Sequence, residues 1–147
     1  MSKFQYKKSI FFLFLLSFLL YGCQDDGELL HNSIQKWNTV NQYADIMYTE
    51  LGDLYNEDKI SNEEKNKFME KGNVLFDELD DIKHYMLQFG QALQDGNEAM
   101  VDRYRARLRS QINRTVFTYN EIREDFMVIY IRERSAYVEL PKLERIQ

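Results

Sequence analysis

Beyond residue 28, apolar residues recur at steps of three and four: Leu30, Ile34, Trp37, Ala44, Met47, Leu51 and Leu54, with Val40 filling the one gap. This spacing places them on one face of a long amphipathic helix. Residues 56–59, NEDK, are polar and end that helix. The next four residues to matter, Ser61-Asn62-Glu63-Glu64, have the S-x-x-E form of a capping box, in which Ser61 accepts from the third helical amide and Glu64 reaches back. A second stripe follows at Phe68, Gly72, Leu75, Leu79, Ile82, Met86, Phe89 and Leu93, until Asp95-Gly96-Asn97 brings turn chemistry. The third stripe is Val101, Tyr104, Leu108, Ile112, Thr115, Tyr119, Ile122, Phe126 and Ile129. It is expected to run to about Glu139, because Pro141 disfavours helical geometry at Leu140.

No alternating strand pattern competes with these stripes, so the predicted class is all-α. Short connections between long helices make neighbours antiparallel, which predicts an up-down-up three-helix bundle over residues 28–140 with a tail over 141–147. About thirty residues per helix give rods of roughly 45 Å. An intermolecular coiled coil would carry the same stripes, but the two turn signals favour a chain folded back on itself. Gly72 is the one residue without a side chain on its stripe. Counting along the hairpins sets it near Ala44 and Asp45 and opposite Tyr119, which is expected to fill the hollow.

The first residues have a different character. Lys3, Lys7 and Lys8 precede the run IFFLFLLSFLL of residues 10–20, the basic-then-apolar order of a secretory signal peptide. The run is too short for a comfortable membrane span, which takes about 20 apolar residues. It ends in Leu20-Tyr21-Gly22-Cys23, and Cys23 is the single cysteine of the chain. This tetrapeptide resembles the lipobox of bacterial lipoproteins. The resemblance implies cleavage between Gly22 and Cys23, diacylglycerol on the Cys23 thiol and a fatty acyl chain such as palmitate on the new amino terminus. Residues 1–22 would then be a cleaved signal peptide and 23–27 a lipidated tether. Each buried methylene contributes roughly 0.8 kcal/mol, so two or three chains hold a protein to a bilayer effectively permanently. The resemblance also implies a place in the cell envelope. Gln24, rather than aspartate, follows the lipid site, which favours the outer membrane in a Gram-negative host.

A tether of residues 24–27 reaches at most about 15 Å. The start of helix one, the second turn and the start of helix three are therefore expected near the bilayer, with the first turn and the end of helix three far from it. A cysteine consumed by lipid leaves none for disulfides, so the domain must stand on packing. Loss of residues 1–22 removes three lysines and no acids, taking the formal charge from −5 to −8. So acidic a body is a poor partner for nucleic acid.

No glycine-rich phosphate loop, ligand cluster or nucleophile elbow is present in the sequence, so no catalytic residue and no cofactor is expected. His31 and His84 are the residues best placed for a metal: an antiparallel hairpin sets them almost opposite each other, with Glu28 or Asp81 as further oxygen donors. Imidazoles on helix surfaces are more often simply solvated. Arg103, Arg105, Arg107, Arg109 and Arg114 flank the third stripe and admit two readings. They either face an anionic surface such as lipid headgroups, or lie along the core edge and pair with Asp77, Glu78, Asp80 and Asp81.

The segment FMVIYI, residues 126–131, is apolar around the whole helix and must be covered on every side. With the helix starts aligned, helix one ends opposite about Phe126 and helix two begins opposite about Tyr130, so helix three is expected to overhang. Tyr55, Ile60 and a folded-back tail carrying Leu143 and Ile146 are one cover. Another protein, docking on Met127, Tyr130, Ile131, Tyr137 and Val138, is the other. The expectation for function is protein contact by a lipid-anchored helical domain, with an envelope protein or a second copy as partner. A slot between the helices carrying a small ligand or a metal is the alternative.

Overall fold

The computed structural model describes residues 24–136 and 138–146; the expected signal peptide, the lipid site at Cys23 and Tyr137 fall outside them. Three long helices make up the body: α1 (Gln24–Asn56), α2 (Asn62–Gln94) and α3 (Glu98–Arg134). They form an all-α bundle in up-down-up order, with each helix packed on the other two. The capping box closes as its sequence requires. Ser61 Oγ accepts from the Glu64 amide at 3.1 Å, and Glu64 Oε2 accepts from the Ser61 amide at 2.9 Å. At the second turn Gly96 takes the left-handed conformation with φ 64°. That lets the Asn97 amide donate back to the Ala92 carbonyl at 3.1 Å while the Asn97 side chain caps α3 at Met100. The stripes meet in one core, in which Leu30, Met47, Leu75, Phe89, Leu108 and Ile112 are wholly buried or nearly so.

Helix α1 begins four residues earlier than the periodicity indicates. Asp25 and Asp26 occupy its first turn, where carboxylates complement the positive end of the helix dipole. Asp26 is buried and holds Arg105 of α3 with both oxygens, at 2.8 and 3.1 Å. Residues 24–27 are therefore helical rather than an extended tether. Four helical residues advance only about 6 Å.

Helix α3 ends five residues earlier than expected. Ser135 adopts the left-handed conformation with φ 49°, and its amide donates to the Ile131 carbonyl at 3.1 Å to close the last turn. The expected overhang of α3 is absent. Arg134 meets Glu57 at 2.6 Å, just past the end of α1, and Arg132 meets Glu64 at 3.1 Å in the first turn of α2. The reason is axial register. The α1–α3 pairs Asp26–Arg105 and Glu57–Arg134 are 79 and 77 positions apart in sequence, against about 70 for aligned helix starts, so α1 reaches roughly two turns further toward the tip.

Gly72 is buried, yet the ring in its hollow belongs to Tyr48 rather than Tyr119. A Cβ at position 72 would lie 2.4 Å from the Tyr48 hydroxyl oxygen and 2.6 Å from its Cζ. Tyr48 is pinned there by donating to the Phe68 carbonyl at 3.0 Å and by contact with the Phe76 ring at 5.7 Å. Tyr119 packs instead against Tyr43 and the tail.

Candidate functional site

Residues 140–146 run back down α3 as an extended strap. Two asparagines hold it. Asn120 donates from Nδ2 to the Leu143 carbonyl and accepts from the Leu143 amide through Oδ1, both at 2.9 Å. Asn113 makes the same pair with Ile146, donating at 3.1 Å and accepting at 2.8 Å. The geometry follows from two repeats: seven helical residues advance about 10.5 Å, and three extended residues cover about 10 Å. Side-chain amides two turns apart therefore fall in step with every third residue of the strap, and each replaces the backbone partner that a strand would supply. Ahead of both on the strap, the Pro141 carbonyl accepts from the Tyr119 hydroxyl at 3.1 Å and the Leu140 carbonyl accepts from Arg123. Burial raises the Tyr119 phenol well above its ordinary pKa, partly opposed by Arg123, so it remains a donor. Leu140 is fully buried, with Leu143 and Ile146 packed against the core. Lys142, Glu144 and Arg145 face solvent.

The tip residues divide. Met127 and Tyr130, offered by the sequence as docking residues, are 8% and 9% exposed and belong to the same buried cluster as Ile60 and Leu140. They are core as the chain stands, because the level helix ends and the strap cover them. Val138 is half-buried against that cluster. Ile131 is 52% exposed, and Val128, which the pattern did not single out, is 70% exposed. Phe117, 49% exposed, lies three turns before Val128 on the same face of α3.

Of the five arginines that flank the third stripe between residues 103 and 114, Arg114 meets Glu78 as the charge blocks suggest, at 2.7 Å. Arg105 goes elsewhere, to Asp26 of α1 and to Asp102. Hydrogen bonding to Asp26 raises its already high pKa further. Arg103, Arg107 and Arg109 are exposed. The Glu78 side chain is 5% exposed and neither oxygen has an aligned hydrogen bond among the described residues, so the charge of Arg114 is what compensates it. Arg114→Ala is expected to lower stability by about 1–3 kcal/mol, in the lower part of that range because Arg114 itself is largely solvated. Glu78→Gln in the same chain should recover most of the loss. Urea unfolding of the single and double variants reads both, and an unchanged midpoint for Arg114→Ala would show the pair to be inert.

His31 and His84 do not assemble a ligand set. His31 is bonded to the Gln35 amide at 2.9 Å one turn on, and the His84 ring lies edge-on to Tyr85. Among the described residues no three His, Cys, Asp or Glu side chains converge to hold a metal. The clefts are open: one is bounded by Tyr55, Ile60 and the first turn, another by Glu28, Asn32, Lys36 and the strap residues Arg145 and Ile146.

Asn113 and Asn120 escape a reading of periodicity because they lie off the apolar stripe. Their one signal is a pair of poor helix formers one heptad, or two helical turns, apart in mid-helix, ahead of a tail with apolar residues at every third position. Compared with protein-family models, characterised proteins and solved structures, the chain matches none.

Proposed function

We propose that this chain is a bacterial envelope lipoprotein, anchored through lipid on Cys23, whose helical bundle acts by contact with other proteins. The observation that carries the contact reading is the row of large apolar side chains, Phe117, Val128 and Ile131, left exposed on α3 after the strap has covered the rest of the tip. The anchor reading rests on the lysines, the apolar run and Leu20-Tyr21-Gly22-Cys23 at its end. No helix among the described residues is long and apolar enough to cross a membrane. With Gln24 after the lipid site, the outer membrane is the favoured address in a Gram-negative cell. The Asp26–Arg105 pair ties the start of α3 to the start of α1, so an anchor at Cys23 would leave Ile131 at the end remote from the bilayer.

Two variants test the two halves separately. Cys23→Ser is expected to abolish incorporation of a labelled fatty acid and leave the precursor uncut; equal labelling would end the lipoprotein reading. Ile131→Glu is expected to remove crosslinked protein partners while changing stability by no more than about 0.5 kcal/mol, the usual range at exposed positions. A large loss of stability with unchanged crosslinking would make Ile131 ordinary core.

A further inference from the structure

The strap is held by contacts that do not depend on which chain supplies it. Asn113 and Asn120 read only backbone, Leu140 fills an apolar site, and Lys142 reaches Glu124 at 3.3 Å. Any second copy of this chain presents the same segment. We infer that two copies pack side by side, in parallel, through the outer face of α3 and exchange their straps, so that residues 140–146 of each lie on Asn113 and Asn120 of the other.

Three observations carry this. The first is the hinge: Ser135 is a non-glycine residue in the left-handed conformation, placed where the strap leaves α3. Short strained hinges favour exchange, because the open chain relieves the strain while every strap contact is remade in the partner. The second is reach. Leu140 binds at the level of Arg123, so the strap must descend about 16 Å from Arg134, and six residues span at most about 21 Å. That leaves about 13 Å for sideways travel, enough to cross one helix-to-helix spacing of 8–10 Å and no more. A neighbouring groove is within reach only if the two α3 helices touch and run the same way. The third is that the face which would touch is apolar and open. Ile131 stands five turns above Asn113 on one line of α3, and Phe117 and Val128 lie beside that line, both on one side of it; these three apolar side chains are all about half exposed or more. Packing this face against its copy would bury three large side chains that the single chain leaves in water. A parallel pair also keeps both amino-terminal ends on the same side.

The inference rests on the protein-contact reading and names its partner as a second copy; no step needs the lipid. The exposed pair Glu124 and Lys142 supplies a reporter, since cysteines there are brought together only by a seated strap. In chains that also carry Cys23→Ser, one copy bears Glu124→Cys with a size tag and the other Lys142→Cys. The full chains are mixed in detergent, oxidised mildly and separated without reductant. The mixed disulfide is expected to exceed either like-with-like disulfide about 10-fold and to grow with chain concentration, as an association should. Ser135→Gly, which relaxes the hinge, should lower the mixed product about fivefold. Val128→Glu with Ile131→Glu, both at exposed positions, should reduce it further while helicity is retained. A mixed product no greater than the like-with-like products would overturn the inference, provided a chain carrying both cysteines closes its internal disulfide. So would a mixed product that Val128→Glu with Ile131→Glu leaves unchanged. Loss of foreign crosslinked partners on Ile131→Glu, together with either of those results, would leave the contact reading standing and remove only the second copy.

Discussion

Gly72→Leu is expected to lower the unfolding free energy by about 3 kcal/mol or more, the upper part of the range for overpacked cores. In a domain of this size that is a fall in melting temperature of roughly 10 °C. The cause is specific. A Cβ at this position meets the Tyr48 hydroxyl oxygen, Cζ and Cε1 at 2.4, 2.6 and 2.9 Å, so the ring itself must leave, and with it the hydrogen bond to the Phe68 carbonyl. The smaller change Gly72→Ala sets two effects against each other. Alanine gains up to about 1 kcal/mol of helix propensity, while displacing the pinned ring costs about 1–3 kcal/mol. The clash wins, because the obstruction is ring carbon as well as the mobile hydroxyl. Truncating the ring should reverse the sign: in a Tyr48→Ala chain, Gly72→Ala should be neutral or stabilising. Thermal melts of the four chains give the coupling between the two positions. A Gly72→Leu chain that melts with the parent would show that the hollow can open without cost.

Leu140→Ala is expected to cost about 2–5 kcal/mol, as other fully buried leucines do. Its side chain is wholly buried although it sits in a segment without regular structure, only seven residues from the end of the sequence. The comparison that gives this meaning is Leu143→Ala. Leu143 is only partly buried, and its backbone bonds to Asn120 survive the substitution, so the expected cost is nearer 1 kcal/mol. Denaturant midpoints of the two variants should therefore differ clearly. Equal and small effects would mean that the strap lies loosely on α3 and that Leu140 is not part of the core.

The three helices, their faces and both turns are legible in the sequence because each depends on residues within a few positions of one another. The stripes at threes and fours, the reciprocal Ser61–Glu64 cap and the Asp95-Gly96-Asn97 turn are local chemistry, and each forms where its residues stand. What sits between the helices is a different matter. Periodicity says that Gly72 faces inward; it does not say which of several inward tyrosines reaches it, since that depends on the axial offset of α1. The offset in turn goes with ion pairs at the two ends, Asp26 with Arg105 and Glu57 with Arg134, whose partners are 77 or more positions apart. That same offset levels the helix ends at the tip and, with the strap, turns Met127 and Tyr130 from a candidate docking surface into core. The strap was least legible of all. The apolar spacing of Leu140, Leu143 and Ile146 marks a tail that can fold back, but its partners Asn113 and Asn120 recognise backbone, which every residue shares, so no side-chain type says where on α3 it lies. Only the folded chain, by matching seven helical residues to three extended ones, brings those amides to Leu143 and Ile146.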